Sequence, residues 1–314
     1  MNSVIALLGD FAETERNEWL NHLRAAMPNE QIQPFVELNP TQKKSVEFAI
    51  VANPDPAQIA QLPNLVWAHS LWAGVEKIIA NFGQGPLQIV RLTDPNLANL
   101  MAEACLAWTL YLHRAMPTYR QQQQTQTWQQ LPYIAAQDRT IGLLGLGKLG
   151  TAVAQRLLAN GFQVAGWSRT PKLLAGCDCY NGAAGLDQLL ARSDIVIGLL
   201  PATPDTAGLL NRARLARLKP GASLINFGRG SLIEQDALLE ALDSAKIGHA
   251  VLDVFDREPL PKDHAYWHHP QVTVLPHISA PTQPHSASAI VARHLAEFRQ
   301  SGQIPETVDL VRGY

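Results

Sequence analysis

Cysteine is scarce in this sequence: Cys105, Cys177 and Cys179 are the only three among 314 residues. An odd set, with two thiols separated by one residue, builds no disulfide framework and lacks the paired spacing of a structural zinc site. The thiols therefore read as incidental, in a reducing compartment. Charge of one sign is not in excess either. The 25 Lys+Arg against 27 Asp+Glu give a formal net charge of -2. That leaves no basic surplus to neutralise a phosphate backbone and argues against nucleic acid as a partner. Long hydrophobic runs are missing as well. Residues 1–10 carry no positive charge, and the run Val4–Leu8 is too short for a signal h-region. No stretch approaches the roughly 18 apolar residues of a membrane span. The reading is a cytoplasmic protein with no membrane partner.

What is present is a chain longer than one typical domain, 46% hydrophobic, with 21 Gly and 21 Pro. Short apolar runs recur, each followed by a turn signal and then a segment of helical period, which is the alternation of a parallel sheet covered by helices. The runs at Val4–Leu8, Pro34–Leu38, Phe48–Val51 and Leu65–Ala68 read as one set of strands. A second set is Thr140–Leu144, Gln163–Trp167, Asp194–Leu200, Ala222–Phe227, Gly248–Val254 and Val272–Leu275. A single long helix from about Asn96 to Tyr119 joins them and runs into the polar tract Gln121–Gln124. A last helix, near Ser288–Gln300, returns to the first set. The expected architecture is α/β with two doubly wound parallel-sheet domains. Residues 98–282 form a cofactor-binding domain inserted into a substrate domain made of 1–97 and 283–314.

The strand Thr140–Leu144 leads into Gly145-Leu146-Gly147-Lys148-Leu149-Gly150 and then a helix. In that context Gly145 permits the tight turn, Gly147 lets backbone approach a pyrophosphate, and Gly150 lets helix and strand pack closely. The helix N-terminus adds unpaired N–H groups and partial positive charge. Lys148 is either a further phosphate contact or a solvated lysine. An acid about 20 residues on normally receives the adenosine ribose of NAD. Here the next strand ends in Ser168-Arg169-Thr170, a guanidinium flanked by hydroxyls suited to a 2'-phosphate. The expected cofactor is NADP(H), with NAD(H) the weaker alternative.

Three later strands end in side chains that together can move a hydride and a proton. They are Arg229 in Asn226–Gly230, Glu258 in Asp253–Pro259, and His277 in Pro276–Ala280. Reduction of a 2-keto acid needs a cation for carboxylate and carbonyl, which Arg229 supplies, and an acid for the new alkoxide, which is His277. Glu258 can hold the imidazole in its charged form. The histidines His264, His268 and His269 have one nearby carboxylate, Asp263, and no thiol, so no metal is expected.

With these residues in place the chain resembles the D-isomer-specific 2-hydroxyacid dehydrogenases, whose order is Gly-rich loop, Arg, Glu, His. The resemblance covers most of the chain. It implies a Rossmann cofactor domain within a flavodoxin-like substrate domain, domains that close over the substrate, and a homodimer. It also implies that the N–H groups of Ala73 and Gly74 hold the substrate carboxylate, that Asp253 bonds the nicotinamide carboxamide, that Leu149 lies over the pyrophosphate, and that Leu200-Pro201 and Phe227-Gly228 flank the cofactor. The pair Phe227-Gly228 departs from the alanine common before the arginine. The motifs Ser70–Glu76, Trp167-Ser168-Arg169, Glu258–Pro261 followed by Trp267, and Arg312-Gly313-Tyr314 are similar to a branch acting on short 2-keto acids. They imply reduction of glyoxylate and hydroxypyruvate. Trp72 and Trp267 offer bulk to limit the pocket. The alternatives are a larger 2-keto acid, phenylpyruvate-like or branched, and a non-catalytic nicotinamide-sensing protein.

Overall fold

The computed structural model describes residues 4–82, 85 and 87–309, so Arg312-Gly313-Tyr314 lies outside the described residues. In chain order the elements begin with β1 (Ile5–Gly9), α1 (Glu13–Ala26), β2 (Ile32–Pro34), α2 (Pro40–Ser45), β3 (Phe48–Ala52), α3 (Pro56–Ile59), β4 (Trp67–Ser70), α4 (Glu76–Phe82) and β5 (Gln88–Val90). Then come α5 (Pro95–His113), α6 (Met116–Gln124), β6 (Thr140–Leu144), α7 (Lys148–Ala159), β7 (Gln163–Ser168), β8 (Cys177–Asn181), α8 (Gly182–Arg192) and β9 (Ile195–Gly198). The chain ends with α9 (Arg212–Leu215), β10 (Ala222–Asn226), α10 (Gln235–Asp243), β11 (Ile247–Leu252), β12 (Val272–Val274) and α11 (Pro284–Ser301). These fall into two compact units, Met1–Leu97 with Thr282–Tyr314, and Ala98–Pro281.

The first unit holds a parallel sheet in the order β2-β1-β3-β4-β5, the flavodoxin-like order. Both faces are apolar, because strands buried on both sides cannot alternate. One face packs Trp67 and Leu71 against Trp19, Leu20 and Leu23 of α1 and Ile290, Val291 and Leu295 of α11. The other packs Ala49, Val51 and Ala68 against Phe35, Leu38, Leu62 and Ile78. The run Pro34–Leu38, expected as a strand, is corrected here. β2 ends at Pro34, and Phe35–Glu37 form a 3-10 turn. Proline has no N–H to continue the ladder, and β2 is an edge strand. Phe35 and Leu38 are buried while Val36 is exposed, a spacing of three rather than two.

The second unit is a parallel sheet in the order β12-β11-β10-β9-β6-β7-β8, the Rossmann order extended by one strand. Two strands, β5 and β8, were not legible as apolar runs. Both are edge strands, and β8 reads Cys-Asp-Cys-Tyr-Asn with no fully buried position. The single helix expected from Asn96 to Tyr119 is two helices, α5 and α6, separated at Ala115, whose φ is 52°. Pro117 in the first turn of α6 is the cause, since its ring would clash with the carbonyl four residues earlier in a continuous helix.

Two fully or nearly buried imidazoles make the fold acid-sensitive. Burial pushes His69 in the first unit down to about 3 and His249 in the second down to about 4, so both are neutral when folded. The unfolded chain binds protons at these sites below about 6.5, so their contribution is complete above that pH and is lost as pH falls through it. Each histidine kept neutral at pH 4.5 costs about 2 to 3 kcal/mol of stability there. Calorimetric scans from pH 7 to 4.5 should show a steep fall in Tm, and His249→Gln should flatten it.

Candidate active site

The functional segments of the second unit all leave the carboxyl edge of its sheet. Backbone ladder bonds carry on past the strand ends: Gly145 N–H donates to Trp167 O, Leu199 to Leu144, Phe227 to Gly198, Asp253 to Asn226 and Leu275 to Leu252, at 2.8–3.1 Å. β6 lies between β7 and β9, so the order reverses beside β6, where open α/β sheets bind ligands.

At that reversal stands the glycine loop. Gly145 has φ +110°, a conformation that side chains rarely adopt. A Cβ on Gly150 would run into the carbonyl oxygen of Gly145, so α7 packs on the turn only because residue 150 has no side chain. Gly147 is different: a Cβ there would meet nothing within 4 Å. It caps α7 with no side-chain hydrogen bond, leaving the helix N-terminus open to an anion. Lys148 is exposed and Leu149 half-buried beside it.

The turn after β7 is built from its own polar groups. Ser168 is buried and its hydroxyl donates to Thr170 O at 2.8 Å. Arg169 lies 4.0 Å from Asp205. Sequence reasoning missed Lys172, whose ammonium donates to the carbonyl of Leu146, inside the glycine loop, at 2.6 Å. A lysine three residues beyond an arginine carries no local signal of that contact. Of the flanking residues, Leu200 is buried, and the carbonyl of Pro201 accepts from Thr206. Phe227 is buried in the core cluster with Leu146, Ile225 and Val251, and a Cβ on Gly228 would come within 2.7 Å of the carbonyl oxygen of Leu200.

Two of the three catalytic candidates, Glu258 and His277, are joined by a hydrogen bond. Glu258 accepts from Phe255 N–H through Oε1 at 2.9 Å and from His277 Nδ1 through Oε2 at 2.8 Å. A carboxylate only accepts, so Nδ1 carries the hydrogen and Nε2 is the nitrogen left for chemistry. The imidazole is 55% exposed and the Glu258 side chain 36% exposed. Arg229 donates from Nη1 to Gly228 O at 2.7 Å. Its backbone is braced by Asn226, which is buried, accepts from Gly228 N–H and donates to Arg229 O. Asn226 is a second residue whose role was not read from the sequence.

Asp253 lies beneath the loop that carries His277. It is fully buried, and its carboxylate accepts from Ile278 N–H at 2.7 Å, Ser279 N–H at 2.9 Å and Ser279 Oγ at 2.5 Å. His277 precedes these donors and has φ 57°, a left-handed conformation uncommon outside glycine. The observed contacts of Asp253 hold the loop that presents His277.

Trp267 is 47% exposed, with its indole N–H on Pro261 O at 2.8 Å. The neighbouring histidines point to separate partners, His264 to Gln235 and His269 to Asp243. In the first unit, Trp72 packs edge-on against Trp19, with ring centroids 5.9 Å apart. Ala73 and Gly74 follow in the bend between β4 and α4. Among the described residues neither of their N–H groups finds an acceptor.

Residues 106–279 match the D-isomer specific 2-hydroxyacid dehydrogenase, NAD binding domain family. The chain belongs to the D-isomer specific 2-hydroxyacid dehydrogenases. Like its relatives it is therefore an oxidoreductase of the dehydrogenase and reductase class. It is 38% identical over 304 residues to glyoxylate/hydroxypyruvate reductase A of Serratia proteamaculans (strain 568), covering 95% of this chain and 96% of that one. Its structure is similar to a family member from Xanthobacter autotrophicus Py2 in complex with NADPH and MES, with a TM-score of 0.93, 35% identity and 100% of both chains covered. It is also similar to the NADPH-dependent glyoxylate/hydroxypyruvate reductase from Sinorhizobium meliloti in complex with NADP and sulfate, with a TM-score of 0.91, 32% identity and 99% and 100% covered. Two parallel-sheet α/β domains of this kind are the fold of this dehydrogenase family.

Proposed function

We propose that this dehydrogenase reduces glyoxylate and hydroxypyruvate to glycolate and D-glycerate with NADPH. The observation that carries the reading is the chain from Phe255 N–H through Glu258 to His277, at the sheet edge that also bears the open glycine loop. The names and bound NADP(H) of the relatives support the substrate and the cofactor.

The residues present fit a dinucleotide phosphate. The uncapped N-terminus of α7 would take the pyrophosphate, beside Lys148 and Leu149. Ser168, Arg169 and Thr170 would take the 2'-phosphate, joined by Lys172, whose tether to Leu146 O brings a second cation to the loop. When bound, the nicotinamide supplies the hydride. Arg229 orients the keto acid through its carboxylate and polarises the carbonyl. His277 holds a proton on Nε2 and delivers it to the oxygen that becomes an alkoxide, while Glu258 stabilises the imidazolium through Nδ1. Asp253 and Asn226 keep the His277 and Arg229 backbones in place. The N–H groups of Ala73 and Gly74 would receive the substrate carboxylate, as consecutive unpaired N–H groups do for anions. In this reading residues 98–282 are the cofactor domain and residues 1–97 with 283–314 the substrate domain.

We also infer a cytoplasmic homodimer. Among the described residues no helix is long and apolar enough to cross a membrane. Met116 and Tyr119 on α6, and Trp128, Tyr133 and Ile134 after it, are exposed, a run of apolar surface that suits a second copy of the chain.

NADPH oxidation followed by absorbance with glyoxylate, hydroxypyruvate and larger 2-keto acids tests the whole reading. No oxidation with any of them would refute it. Arg169→Asp should cost about 2 to 3 kcal/mol of charge-assisted hydrogen bonding, lowering kcat/KM for NADPH by about 100-fold while leaving NADH within a few-fold. Equal losses with both cofactors would remove Arg169 from the 2'-phosphate.

A further inference from the structure

The first unit contains a polar pair that the reaction does not use directly. His69 is the third residue of β4, between Ile50 of β3 and Val90 of β5, and it is fully buried. Its face of the sheet is otherwise the apolar one formed by Trp67, Leu71, Ile290, Val291 and Leu295. An isolated imidazole there would be costly, since a buried polar group is tolerated when hydrogen-bonded. Both ring nitrogens are bonded. Nδ1 lies 2.8 Å from Ser70 O and Nε2 lies 3.0 Å from Nδ1 of His294 on α11.

The partners fix the direction of every bond. Burial keeps His69 neutral, so it has one N–H. A carbonyl only accepts, so that hydrogen is on Nδ1 and points to Ser70 O. Nε2 is then an acceptor, and His294 must donate from its Nδ1. The chain continues through Ser70, whose hydroxyl both accepts from Trp72 N–H and donates to Trp72 O, each at 3.0 Å. Immediately beyond are Ala73 and Gly74, the two N–H groups without an acceptor among the described residues.

We propose that His294 and His69 are positioning residues for the substrate carboxylate, fixing from α11 the turn at Ser70–Trp72 that presents the N–H groups of Ala73 and Gly74. The inference rests on the carboxylate role proposed above for those two groups. Two apolar side chains would fill the same space, but they would leave the Ser70 carbonyl unheld and the turn free to shift. Displacements of an ångström at a binding group have large kinetic effects.

The test compares the full-length enzyme with His294→Leu and His294→Asn. Asparagine Nδ2 occupies the place of imidazole Nδ1 and can still donate to His69. His294→Leu is expected to raise KM for glyoxylate about tenfold, with kcat, KM for NADPH and NADPH binding by fluorescence within about twofold. His294→Asn should recover most of the loss. The methyl ester of glyoxylate, which has no carboxylate for the turn to hold, should be used equally by the parent enzyme and His294→Leu. A lower Tm with unchanged KM, or equal KM increases for acid and ester, would overturn the positioning role. If the parent enzyme itself does not prefer the acid to the ester, the carboxylate role of Ala73 and Gly74 fails first, and this inference falls with it.

Discussion

Replacing His277 by alanine is expected to lower kcat about a thousandfold while NADPH binds almost as before. General acid catalysis contributes typically 10²- to 10⁴-fold, and in the proposed reaction the proton comes from His277 Nε2. Nδ1 is engaged 2.8 Å from Glu258 Oε2, and Glu258 is itself anchored on Phe255 N–H. Removing the imidazole leaves the glycine loop, the α7 N-terminus and the Ser168–Thr170 turn untouched, because those belong to the ends of β6 and β7. Steady-state turnover with glyoxylate and fluorescence titration with NADPH separate the two effects. Retention of more than a tenth of the parent turnover would show that another group delivers the proton. Simultaneous loss of NADPH binding would show damage beyond the imidazole.

Asp253→Ala should lose both stability and turnover. The parent carboxylate accepts three hydrogen bonds at 2.5–2.9 Å, two of them from backbone N–H groups that the variant leaves without an acceptor. Unsatisfied buried donors cost about 1 to 3 kcal/mol each, so a total of about 3 to 5 kcal/mol is expected. For a unit of this size that corresponds to a fall of about 10 °C in Tm. The second effect is local. His277 is held at φ 57° by the bonds to the two residues after it, and once released it relaxes away from Glu258. Turnover measured well below the new Tm should fall about a hundredfold, and Asp253→Asn, which keeps one acceptor oxygen, should lie between. Full activity in folded Asp253→Ala would mean that the loop keeps its shape without the carboxylate.

Much of the candidate site was legible because parallel α/β sheets put ligands at the carboxyl ends of strands, so a strand-period run followed by an unusual residue marks a candidate directly. That reasoning located the loop at Gly145, the turn at Arg169, and Arg229, Glu258 and His277, each just past a recognisable apolar strand. It failed where the signal was not periodic. β8 has no apolar run, and Pro34–Leu38 is an apolar run that turns because Pro34 cannot extend the edge ladder. The break at Ala115 was written in Pro117, but the strong apolar pattern of α5 outweighed it. Lys172 and Asn226 escaped notice because each acts on backbone carbonyl or amide groups, which leave no mark in the side-chain pattern.

The amino-acid sequence by itself determined the two parallel sheets, the family, and which strand ends bear the candidate residues, since apolar periodicity and short motifs are local and survive without knowledge of the fold. Tertiary structure alone decided what the buried polar groups do. Asp253 turns to the loop after His277 because β11 and β12 are neighbours in register. His69 meets His294, 225 residues away along the chain, because α11 returns to cover β4. Such partnerships are set by packing between elements distant in sequence, where each residue's own neighbours say nothing of the group it will meet.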